Sequence, residues 1–253
     1  MIKFFRKIRQ NLLMENKIGK YFKYAIGEII LVVMGILIAL QINNWNEDRK
    51  NNQSVKTSIK ALLEDLKRDT IQLNFDFDMI NEDLERLNSF RVRLSKPTAT
   101  IDTLRKIARF EYLPFFNPSN ELNRNTIVSL LNTGKIQNFK DEVKNKILNH
   151  NSEQLKELKI MDQNVSIYLN NQTKYSELIA VQSEHEIMND YVVKGPLLNK
   201  YWQSKDDEFL MEGLLTIITS KSLMHYIIKE RKNNLLESTK NMINFLEELQ
   251  AKK

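Results

Sequence analysis

Residues 24–42 read YAIGEIILVVMGILIALQI, and this stretch decides the fold. Apart from Glu28, Gln41 and the Tyr24 hydroxyl, its nineteen residues are apolar or small. As a helix rising ~1.5 Å per residue they extend roughly 28 Å, about one hydrocarbon core. The expectation is a single transmembrane helix.

Charge outside the span gives it a direction. Lys3, Arg6, Lys7, Arg9, Lys17, Lys20 and Lys23 precede the apolar run, so the first 28 residues carry +5 of the formal +6. Short Lys/Arg-rich flanks stay cytoplasmic. The N-terminus is therefore expected inside the inner (cytoplasmic) membrane and the bulk of the chain in the periplasm. Ile2, Phe5, Ile8 and Leu12 form a stripe, so residues 1–20 read as a basic amphipathic segment suited to an anionic leaflet. The basic region is too long for a cleaved signal peptide, and no small-x-small pattern follows Leu40. Residues 21–45 thus read as a signal anchor, with Trp45 at one interface and Tyr21, Phe22 and Tyr24 at the other.

Glu28, Gly35 and Ala39 fall on one face of this helix. Small residues four apart let two helices approach closely, and a carboxylate in hydrocarbon needs a partner. The three make a candidate association face, for a second copy (a homo-oligomer) or another envelope protein. The plainer reading is an interfacial carboxylate beside an ordinary membrane-helix glycine.

Beyond the anchor the chain is nearly neutral, so the pI near 9.2 belongs to the flank. Without a basic footprint, nucleic acid is not an expected partner; the lipid bilayer is. There is no Cys, hence no disulfide, and only 6 Gly and 4 Pro in 253 residues, which points to an all-α fold. Ile59, Leu66, Leu73, Ile80, Leu87 and Leu94 recur every seven residues, with Leu63, Phe77 and Leu84 beside them. That is the seam of a long helix packed lengthwise on others, as in a coiled coil. Trp45 and Asn52 stay in phase with this column, so the anchor is expected to run on into this helix, with the polar run Asn51-Asn52-Gln53 as the alternative, a hinge.

Residues 46–253 then form an elongated antiparallel helical bundle of three long helices, over about 47–94, 141–188 and 206–250. Residues 97–139 make a short-helix insert, capping one end or folding back as a partial fourth helix. Thr100 or Asp102 starts its first helix, Gly134 closes its last, and Asp206-Asp207-Glu208 suits the start of the final long helix. Residues 189–205 read as an irregular loop whose Tyr191, Tyr201 and Trp202 are candidates for a contact surface. Tyr168 and Tyr175, at helical spacing, read as core.

The block IGEIILVVMGILIALQINNWNEDRK, residues 26–50, with IKFFRKIRQNLLMENKIGKYFKYA before it, resembles the start of a Bacteroidota family of membrane-anchored proteins, domain of unknown function 6090. SLLNTGKIQNFKDEV, residues 129–143, resembles the helix, glycine turn and helix of the same family. The resemblance implies an inner-membrane anchor and a helical outer domain, and it brings no activity or ligand.

No catalytic arrangement is legible. His150, His185 and His225 form no paired metal motif, the scattered glycines make no phosphate loop, and there is no nucleophile elbow. Glu64, Asp65, Glu82, Asp83 and Glu85 read as a solvated face partnered by Lys60, Lys67, Arg68 and Arg86. The expectation is a non-enzyme without cofactor or metal: a structural or protein-interaction module. The alternative is a ligand-sensing helical domain that signals through a partner.

Overall fold

The computed structural model describes residues 18–114, 121–176 and 183–251, and among these there is no β-strand. The amphipathic stripe Ile2–Leu12 lies outside the described residues. Among the described residues six α-helices follow in order: α1 (Ile18–Leu94), α2 (Ile101–Lys106), α3 (Asn125–Asn132), α4 (Asp141–Lys174), α5 (Pro196–Gln203) and α6 (Asp207–Ala251). A π-helical turn, Ile107–Glu111, extends α2, and short 3-10 turns lie at Lys135–Asn138 and Glu186–Met188. Residues 1–57 form one compact unit and 58–253 another.

In the first unit the described chain is the opening of α1. It contains a stretch long and apolar enough to cross a membrane, and none of that window is buried. Helix continues through the hinge candidate Asn51-Asn52-Gln53.

In the second unit α6 runs antiparallel to α1. Lys67 pairs with Glu247 (2.7 Å), Asp76 with Lys232 (2.6 Å) and Asp83 with His225 (2.6 Å), in descending order along α6. It is antiparallel to α4 as well: His150 meets Ser238 at 3.0 Å, and the Tyr175 hydroxyl donates to Glu212 at 2.6 Å. Helices α1 and α4 are therefore parallel. Strict alternation along the chain would have made α4 the reversed helix; here α6 is.

The cause is the segment between α1 and α4. It returns alongside α1 as a partial fourth layer rather than capping the end. Glu111 pairs with Arg93 near the end of α1, Asn123 reaches Asp69, and the Thr126 amide donates to Asp65 at 3.0 Å. By residue 126 the chain has come back to the level of Asp65, so α4 starts there and repeats the direction of α1.

Local signals explain the ends. Thr100 is the N-cap residue of α2. Gly134 closes α3 at φ 68°, a conformation that costs glycine little. The Asp206 carboxylate accepts the Phe209 amide at 2.7 Å and caps α6. No break occurs at Thr219-Ser220, because Ile217, Ile218 and Lys221 are buried and packing overrides the weak propensity there.

Two expectations are corrected. Helix α4 stops at Lys174 instead of near Met188, after the poor helix formers Asn170, Asn171 and Thr173; Tyr175 leaves the helix at φ −110°, ψ 20° with its ring buried. Residues 189–205 are not all irregular. Gly195 at φ 107° turns the chain, and Pro196, preset at the first helical position, starts α5. On α5, Leu198 and Trp202 are one turn apart and both enter the core, so Trp202 is 2% exposed. Tyr201 is half-buried, and of the three aromatics only Tyr191, 84% exposed, stands clear. Trp202→Ala should cost about 3–5 kcal/mol in chemical denaturation, whereas Tyr191→Ala should stay within about 0.5 kcal/mol. Equal effects would contradict this placement.

Candidate functional site

The core of the second unit is layered at heptad spacing. On α1 the buried columns are Ile59, Leu66, Leu73, Ile80 and Leu87, and Leu62, Asp69, Asp76, Asp83 and Phe90. The second column carries three consecutive buried carboxylates between apolar ends. On α6 one column reads Ile218, His225, Lys232, Thr239 and Leu246, with Leu214, Lys221, Ile228 and Leu235 beside it, all buried. On α4 the column is Ile147, Gln154, Met161, Tyr168 and Tyr175. The registers set by Asp69–Gln154 and Asp76–Lys232 stack these into five layers. Leu62, Ile147 and Leu246 close one end, and Phe90, Tyr175 and Ile218 the other. Between them lie Asp69 with Gln154 and Thr239, Asp76 with Met161 and Lys232, and Asp83 with Tyr168 and His225.

The Asp83 layer is the most elaborate. Its Oδ2 accepts Lys221 Nζ at 2.7 Å and His225 Nε2 at 2.6 Å. Lys221 Nζ also donates to the Leu113 carbonyl at 2.7 Å and lies 5.4 Å from the centre of the Tyr112 ring. The Tyr112 and Tyr168 hydroxyls are 3.0 Å apart, and Tyr168 donates to the Pro114 carbonyl at 2.7 Å. Three long helices thus grip residues 112–114 through one hydrogen-bonded cluster.

The electrostatics are consistent with one charge pair. Burial works to raise the Asp83 carboxyl, but hydrogen bonds from His225 and Lys221 outweigh it and hold the group below its ordinary value. Burial pushes Lys221 down against the pull of Asp83, and it lowers the His225 imidazole in the same way. His225 is then neutral, and its Nε2 must carry the proton that Asp83 accepts. Burial drives both phenols up, so neither tyrosine ionises near neutrality.

The next layer is simpler: Asp76 receives Lys232 at 2.6 Å and the Gln72 amide at 2.9 Å. Asp69 has no such cation bond. It accepts the Asn123 amide (2.6 Å), the Asn123 side chain (2.8 Å) and Gln154 (3.5 Å). Burial raises its carboxyl, and the bonds from Asn123 only partly offset that.

These groups could hold or pass a proton, but they are packed in, with Lys221, His225 and Lys232 at 1% exposure or less. Among the described residues no three acidic or histidine side chains gather as metal ligands. What such an arrangement can do is specify register, the best attested use of buried charge in helical bundles. Asp65 and Asp83, expected on a solvated face, are 4% and 8% exposed. They escaped the sequence reading because carboxylates at core positions look polar. The signal was present, since Asp69, Asp76 and Asp83 lie in phase with Leu62 and Phe90.

The residues singled out in the sequence fall elsewhere. Glu28, Gly35 and Ala39 lie on α1 in the first unit; Gly35 and Ala39 are exposed, with nothing within 4 Å of where a Gly35 side chain would point. Tyr191, Tyr201 and Trp202 do not form one exposed surface, for the reason given above. Neither group joins the layered cluster.

Lys232→Ala, which removes the cation bonded to the buried Asp76, should cost about 3–5 kcal/mol. Asp76→Leu combined with Lys232→Met should recover most of it, and a denaturant double-mutant cycle reads the difference. Stability should also depend on pH. Burial lowers His150 and His225, so below about pH 6.5 the unfolded chain takes up protons that the folded one refuses. The stabilisation is present above that pH and is lost below it, by up to about 1.4 kcal/mol per unit per histidine. His225→Gln, which keeps a neutral donor to Asp83, should show a shallower slope of urea midpoint between pH 7.5 and 5.5. A midpoint that rises on acidification would refute this account.

No curated protein and no solved structure matches this chain. Residues 28–114, from Glu28 in the apolar run to Pro114 in the grip of Tyr168, match the model of a family of unknown function, DUF6090.

Proposed function

We propose that this chain is a single-pass membrane protein whose helical unit is a structural or protein-interaction module, not an enzyme. The observation that carries the proposal is the unburied apolar run of α1. Leu31, Ile36, Leu37, Ile38 and Leu40 are each more than half exposed, which water would penalise and lipid would not. The basic flank orients it with the N-terminus cytoplasmic, as an uncleaved signal anchor in the inner membrane, and the rest of the chain is periplasmic. The buried charged groups around Asp76 and Asp83 are engaged with one another, which supports a scaffold more than a reaction centre. A sensor of organic ligands would want a cavity between the helices. The cleft walled by Leu62, Ile147 and Leu246 has a volume of about 20 Å³, room for one water molecule, and the larger clefts of about 270 to 550 Å³ are open at the surface.

The absence of Cys makes the test clean. In spheroplasts, a membrane-impermeant maleimide should label Lys56→Cys and leave Lys17→Cys unlabelled until the membrane is permeabilised. An amine–thiol crosslinker on the Lys56→Cys chain should then capture a second copy or another envelope protein. Labelling of Lys17→Cys in sealed spheroplasts would overturn the topology, and a chain that stays monomeric would overturn the interaction role.

A further inference from the structure

His150 on α4 uses one ring nitrogen and leaves the other over. Its Nδ1 lies 3.0 Å from the Ser238 hydroxyl on α6, and that hydroxyl donates to Glu153 at 2.8 Å. A hydroxyl has a single hydrogen, so Ser238 can only accept from the ring. Nδ1 therefore carries the proton, and in the neutral imidazole Nε2 is a bare acceptor. No carboxylate among the described residues bonds to either nitrogen, and burial disfavours the charged ring. His150 is 7% exposed, and its Nε2 has no hydrogen-bond partner among the described residues. A buried acceptor left unmet is costly.

Ser238 and Glu153 line an open groove between α4 and α6. Nε2 is buried away from solvent, so it belongs to the other space that His150 lines, the narrow cleft of about 20 Å³ among Leu62, Ile127, Ile147 and Leu246. Asn151 and Gln154, within one turn of His150, line this cleft too. Gln154 donates its amide to Asp69 at 3.5 Å and keeps its oxygen unmet among the described residues. Asn151 spends its oxygen on Arg124 at 2.8 Å and keeps its amide hydrogens. Two acceptors and one donor thus line a space that fits one water molecule, which has two hydrogens to give and lone pairs to take. We propose that the cleft holds one structural water, donating to His150 Nε2 and the Gln154 oxygen and accepting from the Asn151 amide. A metal ion fits less well, because among the described residues no three acidic or histidine groups gather as ligands, and an organic ligand exceeds the volume. The water completes a hydrogen-bonded chain across the second unit: Ser238 on α6, His150 and Gln154 on α4, Asp69 on α1 and Asn123 on the returning segment.

The chain has three histidines, so nitrogen-15 labelling of histidine alone resolves each ring in the full chain in detergent micelles. At pH 7.5 the signals lost in His150→Leu should be a protonated Nδ1 and an unprotonated Nε2. Water should cross-relax with the methyl groups of Leu62, Ile127 and Ile147, with the sign of a molecule tumbling with the protein. That transfer should vanish in His150→Leu, and also in Gln154→Met, which serves if His150→Leu does not fold. A proton found on Nε2 contradicts the proposal. So does a folded wild-type chain whose cleft methyls show no such transfer, or a transfer that the variants leave unchanged.

Discussion

A buried carboxylate must find a partner, and α1 buries three of them a heptad apart. An isolated charge in an apolar interior costs several kcal/mol, so an arrangement that leaves Asp69, Asp76 or Asp83 unsatisfied competes poorly. Apolar columns alone would not choose among registers, because Leu, Ile and Met tolerate a slip of seven residues. The carboxylates do choose. Moving α6 by one heptad one way would set Asp83 against Ile218, and the other way would set Asp69 against Leu246. Only the observed register supplies Lys221 and His225 to Asp83 and Lys232 to Asp76 together.

The same constraint accounts for the order of the helices. Asp69 gets no lysine from α6, and Asn123 of the returning segment meets its need. Lys221 has donor capacity beyond Asp83, and the Leu113 carbonyl takes it up. The π-turn helps here: its wider pitch puts Ile107, Ala108 and Tyr112 on one buried face and delivers the carbonyls of residues 113 and 114 to Lys221 and Tyr168. The returning segment is therefore drawn along α1 by polar groups, and the direction of α4 follows from where that segment ends.

Much of the fold was legible in the sequence because it rests on local rules. The apolar run, the leucine column from Ile59, the turn at Gly134 and the acidic start of α6 each act within a few residues. The direction of α4 was not legible, since it depends on contacts such as Asp69 with Asn123, 54 residues apart. Trp202 was misread because one proline set a two-turn helix where composition suggested a loop, and a helix aims residues at i and i+4 inward together. The cluster around Asp83 was hidden for a subtler reason. The residue types that mark a solvated face, Asp, Lys and His, also build a buried one, and periodicity separates the two only when polar residues are allowed into the core columns.

The extent of the family match can be weighed against this cluster. It contains Asp69, Asp76 and Asp83, and it ends at Pro114, whose carbonyl accepts Tyr168. It stops short of Asn123, Gln154, Tyr168, Lys221, His225 and Lys232, the groups that satisfy those carboxylates and carbonyls. Cut at residue 114, the chain would hold three carboxylates on an apolar face with no cation from α6 to meet them. The matched stretch is therefore not a folding unit by itself. Its buried charges make sense only with α4 and α6 in place, so the smallest stable piece of the second unit runs on to the end of α6.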